Sequence, residues 1–307
     1  MYGVVDIGSN TVRMVVYHVD GGKPSAVFNK KYPAGLADYI DEAGMLTEKG
    51  IEKLIGILRD FDRAASAFPD FTLCPFATAS LRNIGNTSAV LSRVKEETGL
   101  DIQVLSGYGE AVLGYEGALP EIRSAGISKG MFADIGGGST ELVYFKKGEI
   151  REANSIAIGS LNLYRKYVNT IFPDSKALRK MEKNAVSRIR ENFIGEKLSR
   201  SEHLCLVGGT ARALLSLYRD MTGDSDSLKY DVSFIYRLLD KICEKPEALI
   251  RSILRTAPDR VHTLIPGAVI IKSLAELYNL STIFTASGGV RDGYIYHVLR
   301  KEAEIHE

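Results

Sequence analysis

Two stretches of the chain have the residues best suited to hold phosphate. Asp6-Ile7-Gly8-Ser9-Asn10-Thr11 and Asp134-Ile135-Gly136-Gly137-Gly138-Ser139-Thr140 each leave one short apolar run and enter another. A tight turn at the end of a strand lines up backbone N–H groups, and glycine lets an anion approach them closely. Ser9, Asn10, Thr11, Ser139 and Thr140 add side-chain donors. Asp6 and Asp134, which open the loops, are suited to a hydrated Mg²⁺ that bridges phosphate oxygens. Either loop alone reads equally well as a turn whose aspartate satisfies local amides. Two matched loops in one chain are far more specific. Gly136–Ser139 leads into a strand and not a helix, which disfavours a dinucleotide fold, and no Walker A sequence is present. A third candidate, Gly208-Gly209-Thr210, opens a helix, where an anion also finds free amides.

The elements that must position these loops follow from apolar spacing. Gly3–Ile7, Thr11–Val19 and Ala26–Tyr32 read as three strands, the last two joined by the turn Asp20-Gly21-Gly22-Lys23. Thr47 caps a helix in which Ile51, Leu54, Ile55, Leu58, Phe61, Ala65 and Phe68 recur at helical spacing. Phe71–Ala77 and Asp101–Leu105 read as strands, Thr87–Glu97 and Glu110–Leu119 as helices, giving the order βββαβαβα. The order restarts with strands at Met131–Asp134, Thr140–Phe145 and Glu149–Ile156. Helices follow at Leu161–Val168 and Lys176–Phe193, then the strand Leu204–Val207 and the helix Ala211–Arg219. Further helices are expected around Val232–Cys243 and Gly267–Tyr278, then a strand at Ser281–Thr285 and a terminal helix. A repeat of this kind predicts two similarly folded lobes whose D-I-G loops face each other. The boundary is expected near residues 121–129, where Pro120, Gly126 and Gly130 punctuate the chain, giving lobes over residues 1–124 and 125–307. The last helix is expected to pack back on the first lobe.

The 307 residues suffice for one large domain or two ordinary ones, and 45% hydrophobic with 25% charged residues is ordinary for a soluble chain. A formal net charge of +1 argues against a general nucleic-acid or membrane-surface binder. No run reaches the ~18 apolar residues of a membrane span, and no basic-then-apolar leader opens the chain. Cys74, Cys205 and Cys243 lie far apart, and the five histidines are scattered, so no His/Cys metal site is expected. A reducing cytoplasm is the expected compartment. Tyr164-Arg165-Lys166-Tyr167 mixes basic and aromatic residues but reads as a solvated helix face.

Read together, the motifs resemble the exopolyphosphatase and guanosine pentaphosphate phosphatase (Ppx/GppA) family, over nearly the whole length. Asp6–Thr11 with Val12-Arg13-Met14 is similar to the family's first loop, and Ala77-Thr78-Ala79-Ser80-Leu81-Arg82 to its A-T-x-x-x-R segment. Leu105-Ser106-Gly107 with Glu110-Ala111 resembles its S-G-x-E-E-A segment, and Asp134–Leu142 matches its D-I-G-G-G-S-T-E-L run unchanged. Gly208-Gly209-Thr210 and Ser287–Gly293 resemble its later glycine motifs. The resemblance implies an α/β fold of two similar RNase H-like lobes, within the actin-like, sugar kinase and Hsp70 ATPase superfamily, with an interlobe cleft. It implies Mg²⁺ as cofactor, with Asp6, Asp134 and Glu141 as metal-linked carboxylates, and Glu110 as general base. It implies Arg82 as a phosphate-contacting arginine, polyphosphate or a nucleotide polyphosphate as substrate, and a homodimer with no nucleic-acid or membrane partner.

Three departures bear on that expectation. Gly109 stands where the family has the first glutamate of the pair, which removes a like charge beside Glu110. Lys31 stands where many members have an arginine and keeps the charge without the bidentate fork. The sequence ends after two lobes, where longer members carry helical domains, so short polyphosphates are the expected preference. A kinase or ATPase of the same superfamily is the first alternative, because the loops do not by themselves choose water as acceptor. A non-catalytic nucleotide or alarmone sensor is the second, kept open by Gly109.

Overall fold

The computed structural model describes residues 1–193, 202–244 and 246–306. The chain forms two compact units, Met1–Leu113 with Arg291–Glu307, and Gly114–Val290.

In the first unit β1 (Tyr2–Ile7), β2 (Thr11–Asp20) and β3 (Lys23–Pro33) form an antiparallel meander. Gly21 and Gly22 turn β2 into β3 with φ of 53° and 75°, a left-handed pair that suits the strand twist. Helix α1 (Glu48–Ala65) starts where Thr47 accepts from the Gly50 amide, and it buries Ile51, Leu54, Ile55, Leu58 and Phe61. β4 (Thr72–Ala77) pairs parallel to β1, α2 (Ala79–Arg82) is a single turn, and α3 (Thr87–Thr98) leads to β5 (Gln103–Val104) and α4 (Gly107–Ser124). The sheet order is β3-β2-β1-β4-β5. Val5, Ile7, Val12, Met14 and Val16 face a core shared with α1 and α3. Side chains alternate across a sheet, so Asp6, Arg13 and Lys31 share the opposite face, in register on β1, β2 and β3.

The second unit repeats the plan with β6 (Lys129–Ile135), β7 (Thr140–Lys146), β8 (Glu149–Ile156), α5 (Ser160–Tyr167), α6 (Ser175–Asn192), β9 (His203–Val207) and α7 (Gly208–Thr222). It continues through β10 (Lys229–Asp231), α8 (Ser233–Glu244), α9 (Pro246–Thr256), α10 (Leu264–Tyr278) and β11 (Thr282–Thr285); α11 (Val290–His306) closes the chain. The order β10-β11-β9-β6-β7-β8 is that of the first sheet once the added edge strand β10 is set aside. Two RNase H-like α/β units of like topology are therefore present. Helix α10 is buried nearly all round, which its apolar sequence from Leu264 to Leu274 requires.

Several elements differ from the sequence expectation. The sequence places a lobe boundary after Pro120, whereas α4 runs through Pro120 to Ser124 and the two compact units divide within it, between Leu113 and Gly114. Tyr115, at the middle of α4, packs against Phe132 and Phe145 at ring distances of 6.0 and 5.0 Å. That packing offsets the one helical hydrogen bond a proline removes. The expected strand Asp101–Leu105 is ladder-paired only at Gln103–Val104, although the Leu105 amide still reaches the Ala77 carbonyl at 2.9 Å. Single-turn α2 and edge strand β10 carry too few residues to be read from the sequence, whereas helix α9, with Leu249, Ile250 and Ile253 at helical spacing, was legible and is absent from the sequence expectation. No helix among the described residues is long and apolar enough to cross a membrane.

Candidate active site

Both loops are built the same way. In the first, the Gly8 amide donates to the Thr11 carbonyl at 3.0 Å. The carbonyls of Asn10 and Ser9 are taken by the amides of Gly35 and Ala37, at 2.9 and 3.1 Å. In the second, the Gly136 amide donates to the Ser139 carbonyl at 3.0 Å. The Gly136 carbonyl accepts from Ser160 N at 2.9 Å, and the Gly137 carbonyl from Leu161 N and Asn162 N at 3.0 Å each. The Asn162 side chain takes the Gly138 carbonyl at 3.3 Å. A trans peptide points its C=O and the next N–H in opposite directions. With the carbonyls pinned behind, the amides of Asn10 and Thr11, and of Gly137, Gly138 and Ser139, turn the other way. That is the electrostatics of an anion nest, and both Gly137 and Gly138 are exposed.

The hydroxyls divide into two groups. Thr140 is 1% exposed, and its Oγ1 donates to the Ile158 carbonyl at 2.6 Å. Thr210 is 2% exposed and donates to the Ile135 carbonyl at 3.0 Å. Both side chains brace the second loop from behind. Ser9, Thr11 and Ser139 sit half-buried within the loops themselves, and Asn10 is exposed. Gly208, with φ of 85°, lies against Asp134: a Cβ there would stand 2.2 Å from Asp134 Oδ1. The Arg260 guanidinium lies over Gly209 in the same way, within 2.3 Å of where a Cβ would be. Arg260, in the short turn Pro258–Arg260, is a cation the sequence did not single out, because no local motif marks it and only the fold brings it to Gly209.

Glu110 stands in the first turn of α4, which Ser106 caps by accepting the Gly109 amide at 3.0 Å. Arg82, the last residue of α2, donates from Nη1 both to Glu110 Oε2 at 3.0 Å and to the Leu105 carbonyl at 2.9 Å. The side chains are 22% and 15% exposed, so this pair is largely shielded. An arginine bonded to both groups holds the Glu110 carboxylate in one orientation beside the Leu105 carbonyl. Gly109 occupies the third helical position after the cap, where a glutamate would close a capping box. The departure at Gly109 therefore touches the helix start and leaves Glu110 in place.

The carboxylates expected to hold Mg²⁺ have different surroundings. Asp134 and Glu141 are register partners on β6 and β7, with side chains on one face about 5 Å apart at Cβ. Glu141 is 4% exposed and accepts from Ser155 Oγ at 2.7 Å. Two neighbouring carboxylates in so shielded a place favour a cation between them. Mg²⁺ uses one or two carboxylates and fills its remaining positions with water and phosphate oxygens, so this donor set fits. Asp6 is engaged differently: Arg291 Nη1 donates to its Oδ2 at 2.8 Å, with Arg13 alongside. Burial pushes the Asp6 carboxyl up, and Arg291 and then Arg13 pull it back. Among the described residues no group of three or more His, Cys, Asp or Glu forms a ready-made metal cluster.

Residues 15–302 match the Ppx/GppA phosphatase family. The chain is 28% identical over 326 residues to Exopolyphosphatase 1 of Mycobacterium leprae, covering 98% of this chain and 90% of that protein. It is 26% identical to the guanosine-5'-triphosphate,3'-diphosphate pyrophosphatase of Aeromonas salmonicida, over 97% of this chain and 59% of that protein. The crystal structure of the Aquifex aeolicus member of the Ppx/GppA family superposes with a TM-score of 0.81 at 22% identity, covering 98% of each chain.

Proposed function

Because the chain belongs to the Ppx/GppA phosphatase family, we propose that it is a phosphoanhydride hydrolase that removes the terminal phosphate from inorganic polyphosphate, with guanosine pentaphosphate as a second substrate. The observation that carries this reading is the shielded Glu110–Arg82 pair in the same unit as a carbonyl-pinned phosphate loop. A kinase needs no proton acceptor dedicated to water, and a sensor needs no carboxylate held in one orientation at the head of a capped helix.

The amides of the first loop, in the same unit as Glu110, grip non-bridging oxygens of the terminal phosphate. Glu110 accepts a proton from a water as that water attacks the terminal phosphorus in line. The bond from phosphorus to the bridging oxygen breaks, releasing orthophosphate and a chain one unit shorter. Arg82 orients Glu110 and, through its remaining N–H groups, contacts a non-bridging phosphate oxygen. Asp134 and Glu141 would hold Mg²⁺, which supplies charge neutralisation at the phosphate oxygens. A cytoplasmic setting and assembly as a homodimer belong to the same reading.

Incubation with polyphosphate, guanosine pentaphosphate and ATP, each with Mg²⁺, separates the readings by released phosphate. Release from the first two substrates supports the hydrolase. Release from ATP alone points to a superfamily ATPase, and tight binding without release points to a sensor.

A further inference from the structure

The two units repeat more than their topology. Ser80 Oγ donates to the Ile7 carbonyl behind the first loop, and Thr210 Oγ1 does the same to Ile135 behind the second. Leu105 N continues its sheet onto Ala77 O at 2.9 Å, and Ala286 N continues the other onto Leu206 O at 2.9 Å. Each of these residues precedes a Ser-Gly pair, Ser106-Gly107 and Ser287-Gly288, and then a long helix. Counting four residues from each serine reaches Glu110 in one repeat and Arg291 in the other. Helix α11 begins two residues later than α4 relative to its serine, so Arg291 still lies in the first turn.

We propose that Arg291 is a second substrate-binding arginine of this site, aimed by Asp6 at a phosphate oxygen held on the first loop. This rests on the phosphoanhydride reading above. Asp6 opens that loop, so a guanidinium bonded to its carboxylate stands at the loop's base. Asp6 is the one hydrogen-bond partner of Arg291 among the described residues, and it takes a single N–H of the five in the fork. The Arg291 side chain is 24% exposed, enough for a ligand to reach the remaining donors. Its backbone is held on several sides. The next residue, Asp292, accepts from Tyr17 OH at 2.9 Å, and Tyr294 donates to Gln103 at 3.0 Å and lies 4.6 Å from the Phe76 ring. Gly293 lies directly on the Leu113 carbonyl, where a Cβ would come within 1.9 Å. A cation fixed this firmly is pre-organised for an anion, whose binding then costs little reordering. In this assignment Asp6 is a positioning residue for Arg291 and not a magnesium ligand.

The test is tripolyphosphate binding by calorimetry in the full chain carrying Glu110→Gln, which separates grip from turnover. Adding Arg291→Ala is expected to weaken binding about tenfold to a hundredfold, the range of a charge-assisted hydrogen bond. Arg291→Lys should recover part of the loss, and millimolar guanidinium should recover part of it in the alanine variant. Asp6→Asn should weaken binding in the same way and add little to Arg291→Ala. With Glu110 intact, Asp6→Asn should leave the Mg²⁺ concentration for half-maximal turnover unchanged, whereas Asp134→Asn should raise it. Unchanged binding in a folded Arg291→Ala chain overturns the proposal. So does a loss that neither lysine nor guanidinium recovers and that tracks a lower melting temperature, since that is a purely structural role. A raised Mg²⁺ requirement in Asp6→Asn overturns the assignment of Asp6. A wild-type chain that neither binds tripolyphosphate nor releases phosphate fails the hydrolase reading instead.

Discussion

Glu110 and Arg82 show how neighbours fix the orientation of a carboxylate proposed as the base. Alone, a glutamate in the first turn of a helix does no more than complement the helix dipole. Here Arg82 ties it to the Leu105 carbonyl just past β5, so the group is aimed. Glu110→Gln is expected to lower kcat by about a hundredfold or more, the contribution of a positioned general base, while KM changes little. Wild-type turnover in that variant would move the base role elsewhere. The carboxylates on the second sheet predict a different signature. Neutralising Asp134 relieves its repulsion with Glu141 and weakens the cation site, so Asp134→Asn should lose activity that excess Mg²⁺ partly restores. No restoration at any Mg²⁺ concentration would count against a cation at that pair.

At the level of elements, each glycine loop depends on a segment that follows it in sequence and pins its carbonyls. For the second loop that segment is the start of α5, and it comes very close. A Cβ on Gly159 would stand 2.3 Å from the carbonyl carbon and oxygen of Gly137 and 2.4 Å from Gly138 N. These atoms are backbone and cannot rotate aside as a side-chain tip does. Gly159→Ala is therefore expected to push the loop off α5, destabilising the protein by about 1–3 kcal/mol as overpacking does. It should also weaken phosphate binding while leaving Glu110 and Arg82 undisturbed. Thermal melting and tripolyphosphate titration read the two effects, and a variant normal in both would show that the loop does not depend on this contact.

The molecule as a whole combines two like frameworks with unlike chemistry. The row across the first sheet is Asp6, Arg13 and Lys31, and the matching row across the second is Asp134, Glu141 and Ser155. One unit thus presents mainly cations beside its loop and the other mainly carboxylates. Both frames also carry tyrosines that fold only as neutral phenols. Tyr2, hydrogen-bonded to Glu302, and Tyr278, buried with its hydroxyl on the Phe193 carbonyl, are both pushed up to about 12 from 10.0. Burial raises Tyr17, Tyr115, Tyr230 and Tyr294 as well. A raised folded-state value means the unfolded chain loses its protons first, so stability is fully present below pH 10 and falls as pH rises toward 12. Urea unfolding at a series of alkaline pH values should show that decline, and Tyr2→Phe should make it shallower. A stability flat across this window would contradict the burial of these phenols.

How much was legible in the sequence follows from what each feature depends on. The two D-I-G loops, the strands beside them and the Thr47-capped helix were readable because turn chemistry, period-two alternation and capping act over a few residues. The repeat was readable for the same reason, since each unit must bury its own sheet. Short or tertiary-supported elements were not: α2 is one turn, β10 is three residues long, and Pro120 reads as a break although the packing of Tyr115 carries α4 through it. The roles of side chains within the motifs were decided later still. Local spacing cannot tell that Thr140 and Thr210 spend their hydroxyls on strand carbonyls behind the loop. Nor can it bring Arg291 to Asp6, 285 residues away, or Arg260 to Gly209. The sequence determined where turns with available backbone amides would form, because a glycine turn makes its own amides available. Which charges stand beside that backbone was left to the tertiary structure, because an ion pair depends on distance in space and leaves no period along the chain.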